Sequence, residues 1–137
     1  MSNISHKSLE KALAQLKDAI IVFNKYQNNS ELASHLRDGA IQAFEYTYEL
    51  SWKILKKHLA ELLPNPDTIS SNSFKDVIRL SYEHQLIKGD LQQWVEFRTL
   101  RGTTSHVYNE EKAINVFNEL DNFIEEVEFI INKLNQI

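Results

Sequence analysis

The sequence predicts an all-α protein: an antiparallel up-and-down four-helix bundle with an additional short helix, built as one domain over 1–137. Three observations carry that expectation. Only three glycines and two prolines interrupt 137 residues, which favours long helices over a many-stranded sheet. In the long stretches, apolar residues recur at alternating gaps of four and three, the spacing of one helical face. The composition, 42% hydrophobic and 25% charged, is that of a globular chain able to bury a core.

The first helix is expected from about Ser5 to Tyr26, with Leu9, Leu13, Leu16, Ile20 and Phe23 as its seam. Polar residues from Gln27 to Ser30 read as a loop. The second helix is expected to start at Glu31 or Leu36 and to run to Leu63. Its seam is Ile41, Phe44, Tyr48, Trp52 (or Ser51), Leu55, Leu59 and Leu62, and Pro64 and Pro66 stop it. A turn-rich linker, Asn65 to Asn72, follows. Ser73 is a candidate cap for a short third helix from Phe74 to about Leu86, which Gly89 would break. Asp90 caps a fourth helix, Leu91 to roughly Ser105. Asn109 caps a fifth, with Glu110 and Glu111 at its positive end. The fifth seam is Ala113, Phe117, Leu120, Ile124, Val127, Ile131 and Leu134. Phe123 and Ile130 lie beside it, so this apolar face looks wider than one bundle contact requires and points to a homodimer interface.

Several chemistries are excluded. The chain has 15 Lys plus Arg and 19 Asp plus Glu, a net charge of −4, which argues against a general nucleic-acid coat. With no cysteine there is no disulfide, thiol nucleophile or cysteine zinc site. The five histidines are scattered, so neither a metal nor a cofactor is expected. No phosphate-cradling glycine loop occurs. The chain also lacks the Gly-Ser and Asp-x-Asp signature of nucleotidyltransferases, so metals for nucleotidyl transfer would have to be held by another chain. No run approaches a membrane span and Met1 to Leu9 is unfit for a signal peptide, so the expected location is the cytoplasm.

Two stretches invite a functional reading. Arg101 continues the stripe of Leu91, Trp94 and Phe97, and a charge at an inward position needs a partner or a ligand. His106 follows five residues later. On a continuous helix that spacing rotates the side chains apart by roughly 140°, so they converge only if the helix ends between them or a second subunit completes the site. One reading is a phosphate site with Arg101 as anion binder and His106 as proton carrier; the other is a solvated helix end. Tyr108 is either a substrate contact or modification target, or a ring packed on the fifth helix. In the second stretch, Phe44 to Lys53, Glu45 and Glu49 form an acidic pair one turn apart and Tyr46 falls off the seam. Aromatics beside carboxylates read either as a site for a base or a ribose, or as a helix that is core on one side and an interface on the other. Arg98, one turn before Arg101, either flanks a phosphate or pairs with a glutamate.

The run Asp38-Gly39-Ala40-Ile41-Gln42-Ala43-Phe44-Glu45-Tyr46-Thr47-Tyr48-Glu49-Leu50-Ser51-Trp52-Lys53, followed by Leu55-Lys56, resembles the signature of the nucleotidyltransferase substrate-binding proteins. That signature reads approximately G-x-I-Q-x-F-E-[FY]-T-[FY]-E-L-x-W-K. The block from Arg101 to Tyr108 resembles the same family's R-N-x-x-S-H-x-Y. The resemblance implies a dimeric helical bundle of the wider HEPN group. It also implies a substrate- or nucleotide-binding subunit that pairs with a separate minimal nucleotidyltransferase, often as part of a toxin–antitoxin module. The alternative it implies is a metal-independent HEPN ribonuclease acting on RNA, with Arg101 and His106 as the catalytic pair where two subunits meet. In that case the partner would silence the toxin by transferring AMP to Tyr108. One position departs from the pattern. Gly102 stands where the family has a polar Asn or Asp, and the lost side chain would leave Arg101 less firmly held, which bears on ribonuclease activity more than on the fold.

Overall fold

A computed structural model describes residues 6–63, 74–104 and 110–137. The described residues form six helices: α1 (His6–Tyr26), α2 (Ser30–Leu62), α3 (Phe74–Glu83), α4 (Leu91–Thr104), α5 (Glu110–Asn118) and α6 (Leu120–Asn135). The bundle is built from α1, α2, α4 and the α5–α6 pair, with α3 as the additional short helix. The 33-residue α2 is its spine and packs against α1, α3, α4 and α5.

The turn between α1 and α2 is closed by Asn29. Its side chain accepts a hydrogen bond from Leu32 N at 3.1 Å and so satisfies one of the open donors at the start of α2. The seam of α1 is buried through Leu9, Leu13 and Leu16, and Phe23 ends it against Phe117, ring centre to ring centre 4.4 Å. In α2 the inward position is Ser51 rather than Trp52. The Ser51 hydroxyl donates to Thr47 O, and Thr47 in turn donates to Ala43 O, so small back-bonded side chains fill the face toward α1. The seam stops at Leu59; Leu62, expected inside, is 48% exposed because it lies in the last turn, beyond the packed length of the bundle.

Four aromatic rings form the centre. Phe44 meets Phe123 edge-on at 4.9 Å, Phe97 meets Phe123 at 5.2 Å, and Trp94 meets Phe97 at 5.3 Å, all close to perpendicular. Such T-shaped pairs add about 0.5–1.5 kcal/mol each beyond the area they bury.

Three expectations need correction. The third helix ends at Glu83, not near Leu86, and Gly89 does not break it. Gln85 adopts φ 61°, Gln85 N donates to Tyr82 O and Leu86 N to Ser81 O. This is a Schellman closure with glutamine in the left-handed position usually given to glycine, and the buried Leu86 and Ile87 anchor it. The fifth helix is not continuous either. It breaks at Glu119, whose N–H bonds Val116 O, one residue short of helical pairing. The break turns the apolar face, so Val116, Leu120, Phe123, Val127 and Ile130 are the innermost residues. Phe123 and Ile130 are therefore fully buried in this protomer's own core, and their place beside the seam gives no evidence of a dimer face. The expected linker Asn65 to Asn72 with Pro64, Pro66 and Ser73, and the Asn109 cap, lie outside the described residues.

Candidate functional site

The Asp90 cap is present: Gln93 N donates to Asp90 Oδ1 at 3.1 Å and starts α4 in the expected register. From there Trp94 and Phe97 point into the core. Arg101, one turn further along the same stripe, reaches the edge of α2. Its Nη1 lies 3.0 Å from Glu45 Oε2 and its Nε 3.3 Å from Glu49 Oε1. The inward charge thus has partners, and they are the two carboxylates singled out in α2. The three side chains are 29%, 25% and 45% exposed, with Glu49 the outermost.

One guanidinium and two carboxylates sum to 1 − 2 = −1. Tyr48 lies buried behind this cluster. Burial pushes its phenol up to about 12 from the ordinary 10.0, against the downward pull of Arg98, with Glu49 adding to the rise and Arg101 opposing it. Arg98 itself makes a cation–π contact, its guanidinium 4.6 Å from the centre of the Phe74 ring. Tyr46 is 58% exposed, off the packed face as its position implied.

Gly102 has no backbone requirement for glycine. Its φ is not positive, and a Cβ there would meet nothing within 4 Å. Arg101 is gripped from α2 by Glu45 and Glu49, a hold that does not involve residue 102. His106 and Tyr108 lie outside the described residues.

Sequence reasoning passed over two charged residues that the fold buries. Arg37, on α2, has its Nη2 3.1 Å from Glu110 Oε1 at the start of α5. It sits seven residues before Phe44, on the same helical face, and so was open to the reasoning that singled out Arg101. Glu126 on α6 is 4% exposed, and its Oε1 accepts from Lys88 N (2.9 Å), Gly89 N (2.7 Å) and Trp94 Nε1 (3.1 Å). It ties the α3–α4 corner to α6. No local pattern announces it, since its donors come from more than thirty positions earlier in the chain.

A cleft of ≈ 190 Å³ is lined by residues including His6, Lys57, His58 and Glu61. Burial lowers the His58 pKa below 6.5, with Glu61 opposing and the neighbouring His84 reinforcing the fall. Among the described residues no three His, Asp or Glu side chains gather as a metal site, and no helix is long and apolar enough to cross a membrane.

The match to known proteins spans nearly all of this chain. The family model described as nucleotidyltransferase substrate binding protein like covers residues 5–136. A Haemophilus influenzae protein described as a probable ribonuclease HepT is 38% identical over 130 residues, covering 94% of this chain and 86% of that protein. A solved Haemophilus influenzae structure, described as revealing the fold of a substrate binding domain of a nucleotidyltransferase, superposes with a TM-score of 0.89 at 35% identity. It covers 96% of this chain and 99% of that one. A crystal structure from Thermus thermophilus superposes with a TM-score of 0.71 at 33% identity, covering 92% of this chain and 98% of that one.

Proposed function

We propose, from the premise that the chain belongs to the nucleotidyltransferase substrate-binding family, that it is the helical binding subunit of a two-component system whose other member is a separate minimal nucleotidyltransferase. In this reading it works in the cytoplasm as a homodimer and presents a nucleotide or nucleic-acid substrate to that partner. The observation that carries the reading is the ion cluster of Arg101, Glu45 and Glu49, in which the two sequence blocks that resemble the family meet. A surface that binds a partner needs polar groups held in fixed directions, and this cluster is both half-exposed and anchored on two rigid helices. The test is co-expression with a small protein that carries Gly-Ser and Asp-x-Asp and is encoded beside this one. A complex that survives gel filtration is expected, and separate elution of the two chains overturns the reading.

A second reading, the toxin of a toxin–antitoxin pair, is favoured by the relative described as a probable ribonuclease and by the spacing of Arg101 and His106. In metal-free RNA cleavage the 2′-hydroxyl oxygen attacks the adjacent phosphorus as a base removes its proton. The bond to the 5′-oxygen breaks and that oxygen takes up a proton, leaving a 2′,3′-cyclic phosphate. His106 serves as base or acid, and Arg101 balances charge building on the phosphoryl oxygens. A phosphate reaching Arg101 has first to displace Glu49, the more exposed of its two partners. Transfer of AMP to Tyr108 by the partner would silence this activity. The purified chain cutting single-stranded RNA in the presence of a chelator, with cutting lost in His106→Ala, is the expected result. Cutting that persists in that variant overturns it.

A further inference from the structure

Where α2, α3 and α4 meet, two aromatic rings and two cations form one ladder. Lys56 Nζ stands 5.6 Å from the centre of the Trp52 ring. Trp52 lies 5.2 Å from Phe74, centre to centre, with the ring planes 32° apart. The Arg98 guanidinium sits 4.6 Å over Phe74. Helix α2 supplies Lys56 and Trp52, α3 opens with Phe74, and α4 supplies Arg98. Both rings are only partly buried against the core, and Arg98 is exposed.

The cations of this ladder are unbalanced. Among the described residues neither Lys56 nor Arg98 has a carboxylate partner. Glu49, one turn before Trp52, is held by Arg101. Glu61 follows Lys56 by five residues, which turns it off the Lys56 face. Two uncompensated positive charges thus flank two stacked rings, in a chain whose net charge is −4. The ligand that suits them is anionic at two points and flat between. Single-stranded nucleic acid has that chemistry, with phosphates on either side of a base whose face stacks on an aromatic ring or a guanidinium. An acidic protein surface answers the charges but offers the rings no flat face between them. A duplex keeps its base faces hidden.

We propose that Lys56, Trp52, Phe74 and Arg98 form a subsite for single-stranded nucleic acid, in which a base stacks on the Trp52–Phe74 pair and Lys56 and Arg98 take the flanking phosphates. The Lys56 contact is the one that opens. Its ammonium is loosely held over the ring, and its flexible stem carries it to a phosphate as a base takes its place. Arg98 lies one turn before Arg101 on α4, so a strand crossing the ladder passes beside the cluster of Arg101, Glu45 and Glu49. The proposal rests on the nucleic-acid substrate of the function proposed above and not on the nucleotidyltransferase partner.

The test measures binding of a short fluorescein-labelled oligo(A) RNA to the full-length chain by anisotropy, against an abasic strand of equal length and charge. The abasic strand is expected to bind roughly tenfold more weakly, since stacking is all it lacks. Lys56→Gln and Arg98→Gln should each weaken binding of the RNA and cut the slope of log K against log salt by about 0.7. Trp52→Ala should cost roughly tenfold, with most of the loss restored in Trp52→Phe. Arg98 is exposed, so Arg98→Gln decides the matter even if Trp52→Ala fails to fold. No binding of either strand, equal binding of the abasic strand, or an unchanged salt slope in Arg98→Gln would each overturn the proposal. A complex with the nucleotidyltransferase that Arg98→Gln dissolves, with RNA binding untouched, would overturn it in favour of a protein partner. Separate elution of the two chains sinks the two-component reading alone, because RNA binding is measured without that partner.

Discussion

Glu45 Oε2 stands 3.0 Å from Arg101 Nη1, joining the middle of α2 to the last turn of α4. With Glu49 on the same guanidinium, the arginine faces two carboxylates, one more negative charge than it can balance.

Removing one carboxylate should release that control. Glu49→Gln takes the trio from −1 to 1 − 1 = 0, and several-fold tighter binding of a short RNA or of AMP is expected by fluorescence anisotropy or calorimetry. Because the pair is half-exposed, its loss should change unfolding stability by less than about 1 kcal/mol. Equal or weaker binding by the variant would count against an anion role for Arg101.

Gly102→Asn is expected to fold normally, since a Cβ there meets no atom within 4 Å and the backbone is already helical. Helix propensity places it within about 0.5 kcal/mol of wild type, on the stable side. If the missing polar group limits ribonuclease action, the variant should cut single-stranded RNA faster than wild type under a chelator. Identical rates would mean that the grip from α2 already holds Arg101 well enough.

Glu126→Ala should be the most damaging of these substitutions. It strands two backbone N–H groups and the Trp94 indole, all buried or partly buried, at a cost of about 3 kcal/mol or more. Urea unfolding followed by circular dichroism measures it. A loss below about 1 kcal/mol would show that water replaces the carboxylate at the corner.

Stability should fall away at both ends of the pH range. The folded state lowers the His58 pKa, so its contribution is present above the ordinary histidine range and is lost as pH falls below 6.5. The folded state raises the Tyr48 pKa, so its contribution is complete below pH 10.0 and disappears as pH climbs to about 12. Chemical denaturation across pH should show both limbs, with Tyr48→Phe flattening the alkaline one. An alkaline limb unchanged in that variant would assign it to another group.

On the shared-site reading, in which Arg101 and His106 meet where two subunits join, sedimentation should find a dimer at micromolar concentration. A monomer would remove the shared-site reading. The apolar face of α6 no longer argues for the dimer, since Phe123 and Ile130 are spent inside the protomer.

That reassignment shows what the sequence could and could not carry. The α1 seam, the Asp90 cap and the stripe leading to Arg101 were legible because each depends on residues within two turns. Glu45 and Glu49 were legible as an acidic pair, but not as the holders of Arg101, because that pairing depends on how α2 and α4 cross. The break at Glu119 and the left-handed Gln85 were missed for a common reason: tertiary packing holds both against local preference. Glu126 was invisible, a charged residue in an apolar seam whose donors arrive from a distant corner.

The same corner gives the molecule an optical signature. Its two tryptophans sit in different settings: Trp94 is sealed in the core with its indole N–H on a carboxylate, and Trp52 is only partly buried, against Phe74 and Lys56. Emission from the first should be blue-shifted and deaf to aqueous quenchers. Emission from the second should answer to anything that settles beside α2 and α3. A partner docking on that side and a corner coming undone would therefore register as different colours in one cuvette, without a label.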